Sequence, residues 1–128
     1  MRTLPVALLA PLVLLSSVAL AGPAAAKGDG DGVRVSGNCS GSADWKLKAK
    51  NDDGRLEVEL EIDSNRSGQT WDWKLTHNGI KVSSGTSKTA GRSGSFSIER
   101  KITNRAGTDN IALTASRRGQ TCKGSLTI

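Results

Sequence analysis

The chain has 128 residues, 36% of them hydrophobic, with 18 basic and 12 acidic side chains, one histidine, three tryptophans and no tyrosine. That length suits one domain and excludes a multidomain enzyme. The net charge of +6 favours anionic over cationic partners.

Met1-Arg2, the apolar run Leu4–Ala21 and the small residues after it have the form of a secretory signal peptide. Cleavage suits either Ala19-Leu20-Ala21 or Ala24-Ala25-Ala26. The second leaves 102 residues, 28 of them hydrophobic, with no proline and a charge of 17 basic against 12 acidic groups. A secreted protein is expected, neither cytosolic nor transmembrane. Neither a lipid anchor nor an apolar tail anchor is expected, because no cysteine stands after Ala21-Gly22 and the last residues, Leu126-Thr127-Ile128, read as strand. Leu, Ile, Val and Phe make up 17 of the 102, below the ~20% at which a highly charged chain tends to disorder. Patterning argues for a fold instead.

Lys27–Gly32 (KGDGDG) has the composition of a flexible tail, and Val33–Ser36 reads as a weak strand. Asp44–Lys50 alternates, with Trp45, Leu47 and Ala49 on one face and three lysines on the other. Arg55–Asp63 does the same, with Leu56, Val58, Leu60 and Ile62 opposite Glu57, Glu59 and Glu61. A period of two marks half-buried strands. A turn at Asn51–Gly54 joins them. Pairing Lys50 with Arg55 sets Lys48 against Glu57, Lys46 against Glu59, Leu47 against Val58 and Trp45 against Leu60, which satisfies both faces.

Gln69–His77 and Ile80–Ser84 flank Asn78-Gly79, a strong hairpin signal. A two-residue loop there places Leu75 opposite Val82 and Trp73 opposite Ser84. After a polar loop, Ser87–Ser93, a strand over about Ser95–Ile102 puts Phe96, Ile98 and Ile102 on one face. The last pair is Asn110–Ser116, with Ile111, Leu113 and Ala115 inward, and Thr121–Ile128, with Cys122, Leu126 and Ile128 inward. Arg117–Gln120 joins them. No helical periodicity follows the signal. Seven or eight short strands predict an all-β chain, a single antiparallel β-sandwich domain over 33–128. Cys39 and Cys122 are the only cysteines, and secretion predicts a disulfide between them. Closing a loop of that size is worth roughly 4–5 kcal/mol in the chain-entropy model.

The segment Asn104–Ala115 (NRAGTDNIALTA) resembles the penultimate strand of bacterial immunoglobulin-like domains, where Ala-Gly-x-Asp leads into the strand. The resemblance implies an immunoglobulin-like sandwich. It differs at Ile111, where that family often carries a tyrosine. From Cys39-Ser-Gly-Ser-Ala-Asp-Trp-Lys-Leu-Lys-Ala-Lys50 onward the chain is also similar to small secreted actinobacterial proteins of unestablished role. That likeness implies a source and a compartment, and no activity.

Chemistry is sparse. His77 is the only histidine, so any triad or general base would have to use it, and its place at a hairpin tip predicts an exposed, mobile side chain. No serine lies in a G-x-S-x-G elbow. Asp29-Gly-Asp31 and Asn51-Asp-Asp53 lack calcium-loop spacing, and Glu57, Glu59 and Glu61 form one side of a solvated charge ladder. Neither an enzyme, a metal site nor a cofactor is expected. Trp71 and Trp73 share a face with Leu75, which places them in the core; a sugar-stacking platform is the alternative.

Charge is segregated along the chain. Lys27–Asp63 carries 6 basic and 9 acidic residues, whereas Ser64–Ile128 carries 11 and 3. Arg92, Arg100, Lys101, Arg105, Arg117, Arg118 and Lys123 are therefore candidate anion-binding residues. The expected function is a secreted, non-enzymatic binder of anionic envelope or extracellular polymers, or of another secreted protein. The alternatives are a hydrolase inhibitor presenting Ser87–Ser93 or Arg117–Gln120, and a carbohydrate-binding module.

Overall fold

The computed structural model describes residues 27–29, by their backbone, and 32–128. The expected signal peptide, 1–26, lies outside the described residues. The strands in chain order are β1 (Lys27–Asp29), β2 (Gly32–Asn38), β3 (Asp44–Asp52), β4 (Arg55–Asp63), β5 (Thr70–His77), β6 (Ile80–Lys88), β7 (Ser95–Thr103), β8 (Asn110–Arg117) and β9 (Gln120–Thr127). They form two antiparallel sheets, ordered β1-β2-β3-β4-β7 and β6-β5-β8-β9. The described residues are all-β, a two-sheet sandwich. The strand order is consistent with an immunoglobulin-like sandwich: β3 and β4 pair, the chain then crosses to β5 in the other sheet, and β1 and β2 extend the first sheet along the β3 edge. Lys27–Asp29, in the segment with the composition of a tail, pairs along β2 with Gly32, Val33 and Arg34.

Alternation set the faces correctly, and turn chemistry set the register. The β3–β4 connection is a two-residue turn, Asp53 and Gly54 at φ 47° and 77°, as a tight hairpin requires. Asp52 therefore pairs with Arg55, and each expected partner moves by two. Lys50 faces Glu57, Lys48 faces Glu59 and Lys46 faces Glu61, with Ala49, Leu47 and Trp45 opposite Val58, Leu60 and Ile62. A shift of two leaves every side chain on its original face, so periodicity could not distinguish the two registers.

The second hairpin closes at Asn78-Gly79 as expected, with His77 opposite Ile80, but the register shifts between Leu75 and Thr76. Leu75 pairs with Ser83 and Trp73 with Gly85. The extra residue on β6 displaces Val82, expected inward, to the surface, where it and Ile80 are exposed. Beyond it β6 turns Ser83, Gly85 and Ser87 toward the interior. A strand with so little inward volume is compensated by its neighbour. A Cβ built on Gly85 would lie 2.9 Å from Trp73 Cζ2, so the indole occupies the space that a side chain would take. Trp45 does the same to Gly124 on the facing sheet.

The core is continuous. Leu47, Leu56, Val58, Leu60, Ile62, Trp71, Leu75, Ile111, Leu113 and Cys122 are fully buried, with Trp45, Trp73, Phe96, Ile102 and Leu126 at its margins. At ~25 cal/mol per Å2 of apolar surface, these side chains supply most of the drive to fold. β9 lies over β2 and β3, and β6 approaches β7. Cys39 and Cys122 are bonded, tying the segment after β2 to the other sheet. Beside the disulfide, Ser40 N donates to Thr121 O and Thr121 N to Ser40 Oγ, each at 2.9 Å. The registers place the 64–69 and 89–94 loops and the Arg118-Gly119 turn at this disulfide end. The Asp53-Gly54 and Asn78-Gly79 turns and the 104–109 loop lie at the opposite end.

Candidate functional site

The two loops at the disulfide end interlock through hydrogen bonds that their Ser, Thr and Gly residues make possible. Gly68 N donates to Thr89 O at 2.7 Å and Thr89 N to Gln69 O at 2.8 Å. Ser64 Oγ donates to Gly94 O at 3.2 Å, Ser67 Oγ reaches Gly91 O, and Thr89 Oγ1 reaches Arg66 O. Gly94, at φ 63°, packs its backbone directly on that of Arg66. No residue with a Cβ fits there without moving one loop.

This bracing holds Arg66 and Arg92 on adjacent turns, both exposed. Lys88 ends β6 opposite Thr70, and Arg117 Nη1 lies 3.5 Å from Thr70 O. Arg118 follows in a two-residue turn with Gly119, at φ 39° and 77°. Five cations therefore gather at one end of the sandwich. Among the described residues none of the five has a carboxylate within 4.0 Å. A cluster of cations without carboxylate partners attracts anions over roughly a Debye length. Guanidinium, which supplies four of the five, grips carboxylate or phosphate oxygens in pairs.

Of the seven candidate anion-binding residues, Arg92, Arg117 and Arg118 meet here. The other four do not. Arg100 sits 5.2 Å over the Trp73 ring and donates to Ser83 Oγ at 3.2 Å and to Glu99 O at 2.8 Å; it closes the sandwich between β6 and β7. Lys101 pairs with Asp52 at 3.2 Å. Arg105 is exposed in the 104–109 loop at the opposite end, and Lys123 lies on the outer face of β9. Arg66 and Lys88 were missed. Charge counted along the chain does not show which loops meet, although the Ser/Thr/Gly content shared by 64–69 and 87–94 was a usable signal.

His77 corrects the sequence expectation. It is 2% exposed, and its Nε2 donates to Asp109 Oδ1 at 2.6 Å, with that carboxylate also buried. The side chain is buried rather than exposed, and hydrogen bonds tie the hairpin tip to the start of β8. Asn78 N donates to Asn110 O and Asn110 N to Asn78 Oδ1, both at 2.8 Å, while Asp109 and Ile128 exchange two backbone hydrogen bonds. His77 shares the inward parity of Trp73 and Leu75, and that alternation was the signal to weigh over its place in the turn.

Trp71 and Trp73 are 0% and 4% exposed, so neither offers a ring face to a sugar. Trp73 Nε1 donates to Ser87 Oγ at 3.1 Å. The loops suggested for an inhibitor are also shorter than expected. Ser87 and Lys88 belong to β6, Ala90 bridges to Ser95, and only Arg118 and Gly119 lie between β8 and β9. Neither projects an extended segment. Among the described residues no grouping of three or more His, Cys, Asp or Glu could hold a metal ion, and no helix is long and apolar enough to cross a membrane.

Glu57, Glu59 and Glu61 stand on the outer face of β4. Lys46–Glu61 and Lys50–Glu57 ion pairs lie at 3.9 and 3.8 Å. Glu99, directly opposite Glu59 on β7, has its pKa raised above the ordinary 4.5. The Glu57 carboxylate causes this first as a hydrogen-bond partner and then as a like charge. The chain matches no family model, no curated protein and no solved structure.

Proposed function

We propose that this chain is a secreted, non-enzymatic β-sandwich that holds anionic polymers at its disulfide end. The carrying observation is the cluster Arg66, Lys88, Arg92, Arg117 and Arg118, set on two braced loops and the neighbouring strand ends without carboxylate partners among the described residues. The signal-like leader and the Cys39–Cys122 bond favour an oxidising compartment outside the cell. The one histidine, His77, is buried against Asp109, which favours a binding role over histidine-based catalysis. Binding here is electrostatic, fast and weakly selective, as suits capture or retention of a polymer rather than turnover.

Salt-gradient elution from an anionic matrix tests this. The oxidised protein should be retained at low salt and released as salt rises. Arg66→Ser with Arg92→Ser should elute clearly earlier, and Arg117→Ser with Arg118→Ser likewise. Failure to retain, or retention indifferent to salt, would sink the reading.

A further inference from the structure

The four-stranded sheet turns a second feature outward. Its outer positions on β5, β8 and β9 carry mostly Thr, Ser and Ala, and across its middle one row of partners runs Ser84, Lys74, Thr114, Lys123. Two strand spacings of ~4.8 Å separate the two lysine backbones, with Thr114 between them. Both ammonium groups therefore reach one anionic group placed above Thr114. Neither lysine has a carboxylate within 4.0 Å among the described residues. The one acid facing outward from these strands, Asp72, belongs to the next row and accepts from Thr86 Oγ1 at 2.8 Å.

Beside that row lies a shallow depression of about 310 Å3 lined by Ala112, Leu113, Thr114, Lys123, Gly124 and Ser125. The short side chain of Ala112 leaves the hollow on the outer side. Hydroxyls of Thr114 and Ser125 edge it, and each both donates and accepts a hydrogen bond. A sugar ring presents the same dual hydroxyls. Nucleic acid fits less well, because single strands bind on aromatic platforms and this face has none.

We propose that this face is a subsite for an anionic glycan, a sugar chain bearing carboxylate or phosphate groups. One sugar ring lies in the hollow over Ala112, and its charged group lies between Lys74 and Lys123. The inference rests on the anionic-polymer reading and sharpens it. Lys88 stands on this same face at the disulfide end, so one chain runs from the arginine cluster onto the sheet.

Amide chemical-shift mapping with oligogalacturonate tests it, with inorganic polyphosphate and a neutral dextran oligomer as comparison probes. The expected result is perturbation of Thr114, Lys123 and Ser125 by oligogalacturonate and by neither comparison probe to the same degree. Lys123→Glu and Ala112→Leu, both at surface positions, should each weaken that glycan by about tenfold or more, with unfolding midpoints near the parent's. If oligogalacturonate shifts only residues 64–69, 88–94 and 117–119, and both variants bind as the parent does, the sheet subsite is overturned and the anionic-polymer reading survives. Polyphosphate perturbing the hollow as strongly as the glycan would overturn its preference for sugar. If no anionic probe binds at low salt, both readings fall.

Discussion

The two outer faces of this sandwich obey the same alternation and end in opposite electrostatic states. On the five-stranded sheet the outward positions from β2 to β7 hold six basic residues, Arg34, Lys46, Lys48, Lys50, Arg55 and Lys101. Seven acids, Asp44, Asp52, Glu57, Glu59, Glu61, Asp63 and Glu99, stand among them. On the four-stranded sheet the outward positions hold four lysines, Lys74, Lys81, Lys88 and Lys123, against Asp72 alone. Strand periodicity requires only that these positions be polar. Which polar residues fill them decides whether the sheet neutralises itself or leaves its charge for a partner. The first face is a ladder closed on itself; the second is open.

The largest expected effect tests what holds the faces together. Cys39→Ser with Cys122→Ser should lower unfolding free energy by about 4–5 kcal/mol, measured by urea denaturation. A loss under about 1 kcal/mol would mean that the packing of β9 over β2 and β3 joins the sheets without the bond. His77→Ala comes next. It strands the Asp109 carboxylate in the interior, and losing one partner of a buried pair costs about 3–5 kcal/mol. A near-neutral result would show that Asp109 finds water or another donor.

Charge reversals on the two faces then separate them. Lys48→Glu places a like charge beside Glu59 and should cost under about 1 kcal/mol of stability, while polyanion affinity stays at the parent value. Lys123→Glu should do the reverse. Equal effects of the two on binding would erase the distinction between faces.

The smallest effect concerns Glu99, whose carboxyl pKa is raised in the fold by Glu57. A raised carboxyl favours the fold fully below the ordinary value of 4.5, and this contribution is lost as pH rises through the raised value. Glu99→Gln should therefore stabilise slightly at pH near 7, where repulsion from Glu57 and Glu59 is removed. The advantage should vanish below the ordinary carboxyl range. Thermal melts at the two pH values check the sign, and a variant less stable at neutral pH would show that Glu99 is held by Lys101 instead.

Much of the fold was legible in the sequence, for a definite reason. Trp45, Leu47, Leu56, Val58, Leu60 and Ile62 declare their face by period two, and the lone cysteine pair fits one bond. Registers were less legible. Asp53-Gly54 encodes the tight turn, yet Asn51–Gly54 as a longer loop leaves the same faces buried. The β6 bulge left no periodic trace, because Ser83, Gly85 and Ser87 are inward residues without hydrophobic character, made possible by the indole of Trp73. The site was the least legible part. Arg66 and Arg92 are 26 positions apart and come to adjacent turns because the 64–69 and 89–94 loops interlock, with Gly94 packed on Arg66. Arg100 and Lys101, equally basic on paper, are occupied by Trp73 and Asp52. A charge count sees all of these as equivalent, and only the fold separates engaged cations from open ones.

The most direct measurement is the affinity of the oxidised protein for polyphosphate, followed from about 50 to 200 mM salt. The quadruple variant Arg66→Ser, Arg92→Ser, Arg117→Ser and Arg118→Ser is measured alongside. The expected result is a steep loss of parent affinity with salt, with a log–log slope that shrinks by roughly 0.7–0.9 for each phosphate contact removed. A parent whose binding ignores salt, or a variant that binds with the parent's slope and affinity, would contradict a cationic binding end.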